Sequence, residues 1–163
     1  MKRLSVISLI FAAFAILTSC GGNGSAKEPT DPIPATSCAL VAGDWHLTDG
    51  AGNATSGYDI YLRLTKDGGF EMYQQLETMR YTKYSGTFAF ADGTMSGRYD
   101  DGVMWKSYYT AVLNAKRTTL TLTSTTAPDN VSVFTRTAIP SEVFDRLAPD
   151  TSRCTMEVAV RLL

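Results

Sequence analysis

Tyr58-Asp-Ile-Tyr-Leu-Arg-Leu64, Thr65-Lys-Asp-Gly-Gly69 and Phe70-Glu-Met-Tyr-Gln-Gln-Leu76 form the stretch on which the fold turns. Apolar and polar residues alternate through 58–64 and again through 70–76, the period of a half-buried strand, because successive side chains leave a strand on opposite faces. The five residues between them carry turn formers, so the whole reads as a β-hairpin. On its second strand Phe70, Met72, Gln74 and Leu76 share one face. If that face is the core, Gln74 goes inside with its neighbours. A buried amide must then find a partner: an internal ligand, a water or a tyrosine hydroxyl.

The same pattern continues outward. Strand-like segments at 81–90, 95–99, 104–113, 120–124 and 131–137 alternate with turns at Ala91-Asp-Gly93, Asp100-Asp-Gly102 and Pro128-Asp-Asn130. Short strands at this spacing predict an all-β fold, an antiparallel meander barrel of about eight strands that closes or nearly closes. Face parity groups Tyr84, Gly86, Phe88 and Phe90, and it groups Trp105, Ser107, Tyr109 and Ala111 against Met104, Lys106, Tyr108 and Val112. Past the barrel, residues 140–147 predict a short C-terminal helix capped by Ser141, with Val143, Phe144 and Leu147 on its packing side. Residues 154–162 return to strand alternation as an extra segment.

The N-terminus carries an address. Lys2-Arg3 precede an uncharged apolar run over 4–17, a segment too short to cross a bilayer, which describes an export signal over residues 1–19. Its close, Leu17-Thr18-Ser19-Cys20, resembles the bacterial lipobox. That resemblance implies cleavage between Ser19 and Cys20 and fatty acylation (palmitate or a similar chain) of Cys20. Each buried methylene contributes ~0.8 kcal/mol and one chain holds only marginally, so two or three chains make a durable anchor. Residues 20–37, with three of the chain's six prolines and a Gly-rich start, read as a flexible tether. Residues 38–163 are left for the barrel domain.

Charge and cysteine content narrow the chemistry. The chain has 15 Lys+Arg against 16 Asp+Glu, and loss of Lys2 and Arg3 with the signal makes the remainder more acidic. Neither a basic patch nor a basic amphipathic helix invites nucleic acid. In an oxidising compartment Cys38 and Cys154 are candidates for a disulfide closing most of the domain, worth ~4 to 5 kcal/mol by loop entropy. The alternative is two inert free thiols. The single histidine, His46, reads as a surface residue, and with no CxxC or HxxH spacing no metal and no cofactor is expected.

Gly43-Asp44-Trp45-His-Leu-Thr, the run Tyr-Leu-Arg-Leu-Thr-Lys-Asp-Gly-Gly-Phe-Glu-Met-Tyr at 61–73, Gly86-Thr-Phe, Met95-Ser-Gly-Arg-Tyr, Leu120-Thr-Leu-Thr and Val133-Phe-Thr-Arg136 together resemble the lipocalin-like domains of lipoproteins from Bacteroides-type bacteria. The resemblance covers residues 43–140. It implies an eight-stranded barrel whose bottom is closed by Gly43-x-Trp45 beneath an arginine from a late strand. Arg136 best matches that arginine, with Arg161 second. It also implies an outer-membrane location, with the side of that membrane left open. The chain departs from the pattern by continuing well past the Val-Phe-Thr-Arg strand. Independently of family, a tryptophan after glycine at the start of the domain is large enough to plug one end of the core, and Arg136 above it would form a cation–π contact.

Function must then come from the interior. Met72, Gln74, Tyr84, Phe88, Tyr99, Trp105 and Tyr109 are the candidate ligand-binding residues: methionine adapts its shape and tyrosine sets a hydroxyl beside apolar area. The same side chains would suit a solid core. Asp100 and Asp101 are adjacent in a turn, and neither a Gly-x-Ser-x-Gly elbow nor a phosphate loop occurs, so an enzyme is not expected. The expected function is a membrane-anchored lipoprotein holding a small hydrophobic or amphipathic molecule in its barrel. The alternative is an envelope accessory protein acting through protein–protein contacts. A hydrolase or isomerase would require a convergent cluster of titratable groups inside.

Overall fold

The hairpin at 59–75 is the start of a ring. In the computed structural model, which describes residues 35–50, 58–76, 78–149 and 161–163, helix α1 (Ala35–Val41) leads into β1 (Gly43–Asp49), β2 (Asp59–Leu64), β3 (Gly69–Gln75), β4 (Thr82–Ala91), β5 (Thr94–Tyr99), β6 (Tyr109–Leu113), β7 (Thr119–Ser124) and β8 (Val131–Arg136), followed by helix α2 (Ser141–Asp145). Every neighbouring pair is antiparallel, and β8 pairs back onto β1, giving a closed eight-stranded meander barrel. The structure is therefore the all-β meander barrel with a short C-terminal helix that the alternation predicts, and it matches the lipocalin-like architecture that the resemblance implies.

Local chemistry sets each corner. Thr65 and Gly69 exchange main-chain and hydroxyl hydrogen bonds across the β2–β3 turn, with Thr65 N to Gly69 O at 2.8 Å and Gly69 N to Thr65 Oγ1 at 2.8 Å. The β4–β5 turn places Asp92 at φ 50° and Gly93 at φ 76°. Two successive left-handed residues match the twist of the flanking strands, which is why an Asp-Gly pair occupies a two-residue hairpin turn.

Alternation decides what lies inside. Trp45, Leu47, Ile60, Leu62, Leu64, Phe70, Met72, Met95, Leu120, Leu122 and Phe134 are buried in one cluster within the ring. The strands β2 and β3 are covered outside as well. Tyr61, Tyr73 and Tyr81 pack there with Ile139, Val143 and Leu147, so the chain after β8 straps the barrel's outer wall. Tyr81 N donates to Arg146 O and Ala148 N to Tyr81 O, fastening the strap.

Several expectations change. Cys38 is a free thiol, not half of a disulfide; it lies buried on α1 as part of the barrel cluster, with Sγ directed to the main-chain oxygen of Phe88 at 3.9 Å rather than to another sulfur. Cys154 lies outside the described residues, as do the signal, Cys20 and most of the tether. The end of the tether and the residues after it, through Val41, are helical as α1, and β1 begins at Gly43. Ser141 is the first residue of α2 rather than its cap: Pro140 holds the cap position, without a side-chain cap hydrogen bond. The strand expected over 104–113 begins only at Tyr109: Met104 makes just an isolated bridge to Arg98, and from the otherwise largely exposed loop over 100–108 the Trp105 ring turns in onto Gly97. A Cβ at Gly97 would lie 2.3 Å from that ring, so only glycine admits it.

Candidate functional site

The two ends of the barrel differ. At one end Trp45 is wholly buried, its Nε1 donating to Val41 O at 3.0 Å, so α1 lies across the opening. Arg136 stacks over the indole with Cζ 4.2 Å from the ring centroid. Its Nη1 donates to Ala42 O at 2.9 Å and its Nε to Arg117 O at 2.8 Å. Gly43 sits at φ 144°, and a Cβ there would stand 2.0 Å from Arg136 Nη1. Glycine is thus required twice at one position, by backbone and by space. Gly43, Trp45 and Arg136 meet as one plug. Arg161 has a different place.

The opposite end is the mouth. Of the seven candidate ligand residues, Met72, Phe88, Tyr99, Trp105 and Tyr109 are buried in the barrel cluster, and Tyr84 packs on it partly buried. Their rings touch in sequence: Phe70 meets Tyr99 at 5.4 Å and Trp105 at 5.2 Å, Trp105 meets Tyr109 at 6.1 Å, and Tyr84 meets Tyr99 at 6.0 Å, all edge to face, the arrangement favoured by aromatic quadrupoles. Gln74 is buried at the end of the same face of β3. Around the rim Ser124 Oγ donates to Ser107 Oγ at 2.9 Å, and Ala127 N donates to Ser124 Oγ at 3.1 Å.

Electrostatics keep this mouth neutral in its hydroxyls. Burial pushes the phenols of Tyr84, Tyr99 and Tyr109 up, with Arg161 opposing the rise at Tyr84 and Tyr99. All three phenols are therefore protonated at neutral pH beside apolar rings. The indole Nε1 of Trp105 is buried without a hydrogen-bond partner, an uncommon condition for a buried donor.

The mouth also contains part of the chain. Leu163 is buried in the barrel cluster, Leu162 N donates to Gln74 Oε1 at 3.0 Å, and Tyr99 OH donates to the Leu163 oxygen at 2.9 Å. Arg161 lies over Tyr99 at 4.3 Å and Tyr84 at 5.2 Å, and pairs with Asp101. Inward parity at Gln74 was the sequence signal for such an occupant.

A second polar cluster escaped sequence reasoning. On the outer wall His46 Nε2 lies 2.7 Å from Asp59 Oδ1, its ring stacks on Tyr61 at 4.5 Å, and Tyr81 OH donates to Asp59 Oδ2. His46 is thus half-buried and partnered rather than a plain surface residue. The cluster joins β1, β2 and Tyr81, the residue before β4 to which the strap is fastened; the β1–β2 register sets His46 opposite Tyr61. Elsewhere a groove of about 320 Å³ runs outside β4 and β5, bounded by Cys38, Gly68, Ser96, Arg98 and Met104.

The sequence matches no protein-family model and no curated protein. A closed eight-stranded antiparallel meander with a buried aromatic interior is nonetheless a scaffold of lipocalin type, of a size to be filled by side chains or to hold one small ligand.

Proposed function

We propose that this protein is a membrane-tethered, lipocalin-like lipoprotein that binds a small amphipathic molecule at the mouth of its barrel, without catalysing a reaction. The carrying observation is the grouping of Gln74, Tyr84, Tyr99 and Tyr109 with the unpartnered indole N–H of Trp105 at one end of an otherwise apolar interior. Sites for small molecules combine apolar lining with a few convergent polar groups, and this end has both. The titratable His46–Asp59–Tyr81 cluster lies on the outer wall, away from that lining, which favours binding over chemistry. The tether and lipid come from the lipobox-like Leu17-Thr18-Ser19-Cys20, the outer membrane from the family resemblance. Among the described residues no helix is long and apolar enough to cross a membrane.

Native mass spectrometry of the exported, detergent-free protein tests the binding function. A discrete small-molecule adduct lost on denaturation is expected. A bare mass, together with no binding of amphipathic fluorophores, refutes it in favour of the accessory-protein alternative, which draws support from the exposed Val103, Met104 and Tyr108 on the β5–β6 connection. Cys20→Ala is expected to release unanchored protein; unchanged membrane retention contradicts the anchor.

A further inference from the structure

Three residues of the chain's own C-terminal segment are held in the mouth by contacts of the kind a guest would make. Leu163 places a branched aliphatic side chain in the core, 1% exposed, among residues from several strands. The main chain beside it supplies one donor and one acceptor, Leu162 N to Gln74 Oε1 and the Leu163 oxygen to Tyr99 OH. Lys106 Nζ donates to Arg161 O at 2.5 Å. The Arg161 side chain stays near the rim, paired with Asp101 and laid over Tyr99 and Tyr84.

The division of labour is informative. Gln74 and Tyr99 are polar groups inside an apolar barrel, where an unpartnered amide or hydroxyl is costly, and both are engaged by peptide main chain. Main-chain hydrogen bonds supply affinity that does not depend on side-chain identity, while a pocket for one side chain supplies selectivity, as in other modes of peptide capture. Here the pocket is apolar and takes leucine, and the rim adds an acidic side chain and two aromatic faces that accept a cation.

We infer that the barrel mouth is a peptide-binding site, selective for an amide-bearing guest with a branched aliphatic group, and that Arg161–Leu163 is a built-in competitor that such a guest displaces. The inference rests on the binding function proposed above and names both its ligand class and its control. A site filled by its own chain binds an external guest in proportion to the fraction of time it stands open; a tail seated nine-tenths of the time weakens apparent affinity about tenfold.

Two fluorescent probes separate the outcomes: dansyl-Arg-Leu-Leu, which reproduces the tail's chemistry, and N-phenyl-1-naphthylamine, which is apolar and carries no amide. Each is titrated into the full chain, a variant lacking residues 161–163, and the full chain with Leu163→Ser. The deletion is expected to bind the peptide at least about tenfold more tightly than the full chain, with Leu163→Ser between them. Unlabelled Arg-Leu-Leu should displace naphthylamine from the deletion variant. Equal peptide affinity in full chain and deletion overturns the inference while leaving barrel binding intact. Tightening for naphthylamine alone overturns the peptide class. Absence of binding by either probe to a deletion variant with native far-UV dichroism overturns the inference and the binding function together. Should the deletion fail to fold, amide exchange in the full chain decides: saturating peptide must accelerate exchange at the Leu162 N–H, and unchanged exchange refutes displacement.

Discussion

Gly43→Ala is the sharpest test of the closed end. The substituted Cβ would stand 2.0 Å from Arg136 Nη1 on a backbone at φ 144°. Two penalties follow. Holding a side chain in that sparsely populated backbone region costs about 1–2 kcal/mol, the lower part of the range for such strain. The arginine must also move, loosening its stacking on Trp45, worth about 0.5–1 kcal/mol at an exposed site, and its bond to Ala42 O, taken at about 1 kcal/mol because Arg136 is exposed. The sum is about 3 kcal/mol. Arg136→Ala alone forfeits the stacking and both hydrogen bonds without strain, about 2.5–3 kcal/mol. In the double variant the clash has no object, so adding Gly43→Ala to Arg136→Ala costs only the backbone strain of about 1–2 kcal/mol. A double-mutant cycle by urea denaturation, followed through the emission of Trp45 and Trp105, measures that coupling. An identical cost for Gly43→Ala in both backgrounds would refute the contact, and a cost below about 1 kcal/mol in the wild-type background would refute the strain.

Glycines elsewhere give a contrasting pair: Gly97→Ala, driven into the Trp105 ring, is expected to lose about 2–3 kcal/mol by overpacking, whereas Gly93→Ala at φ 76° with open space around it loses about 1 kcal/mol; thermal melts in the reverse order contradict both. Acid stability follows from Asp44, whose carboxyl is held below its usual value of 3.8 by hydrogen bonds from Arg63 at 2.7 and 3.0 Å, against the opposing effect of burial. A pKa lowered in the folded state contributes stability that is full above the unfolded value and lost as pH falls through the folded one. The urea midpoint should therefore hold from neutral pH to about 5 and drop below about 4, less steeply in Asp44→Asn; an equal drop in the variant removes Asp44 as a source. The buried Cys38 thiol should resist maleimide in the native protein and react within seconds in urea without reductant, as read by peptide mapping; a Cys38 that needs reduction before it labels would contradict the free thiol.

Most of the ring was legible because its information is local. Hairpins announce themselves through alternation and turn residues, and parity placed Tyr84 with Phe88 and Trp105 with Tyr109 even where 100–108 is loop rather than strand, since an extended loop keeps the period of two. Arg136 is far in sequence from Gly43 and Trp45, and it took the family pattern to associate it with them. What sequence reasoning missed depends on three-dimensional register. Cys38 and Cys154 looked paired by compartment and number alone, but cysteine arithmetic carries no geometry, and Cys38 turns its sulfur into the core. Helix α1, with neither an acidic first turn nor a basic last one, is too short to show a period. His46, Asp59 and Tyr81 converge only after β1 and β2 are aligned. Gln74 stands between these cases: parity showed that its amide needed a partner inside, and its Oε1 accepts from the chain's own Leu162 N–H, a partner that no local pattern points to.

The pairing of β8 with β1 has a consequence in time. Trp45 finds its neighbour Arg136 only across most of the domain, so the first strand synthesised waits for the last before either has a complete set of hydrogen bonds. Ring closure of such long sequence separation is slow compared with local hairpin formation. For the export proposed above this delay is an advantage: until residue 136 has been made, no closed barrel exists to jam the passage, and after closure the seam leaves no strand edge exposed for neighbouring molecules to extend.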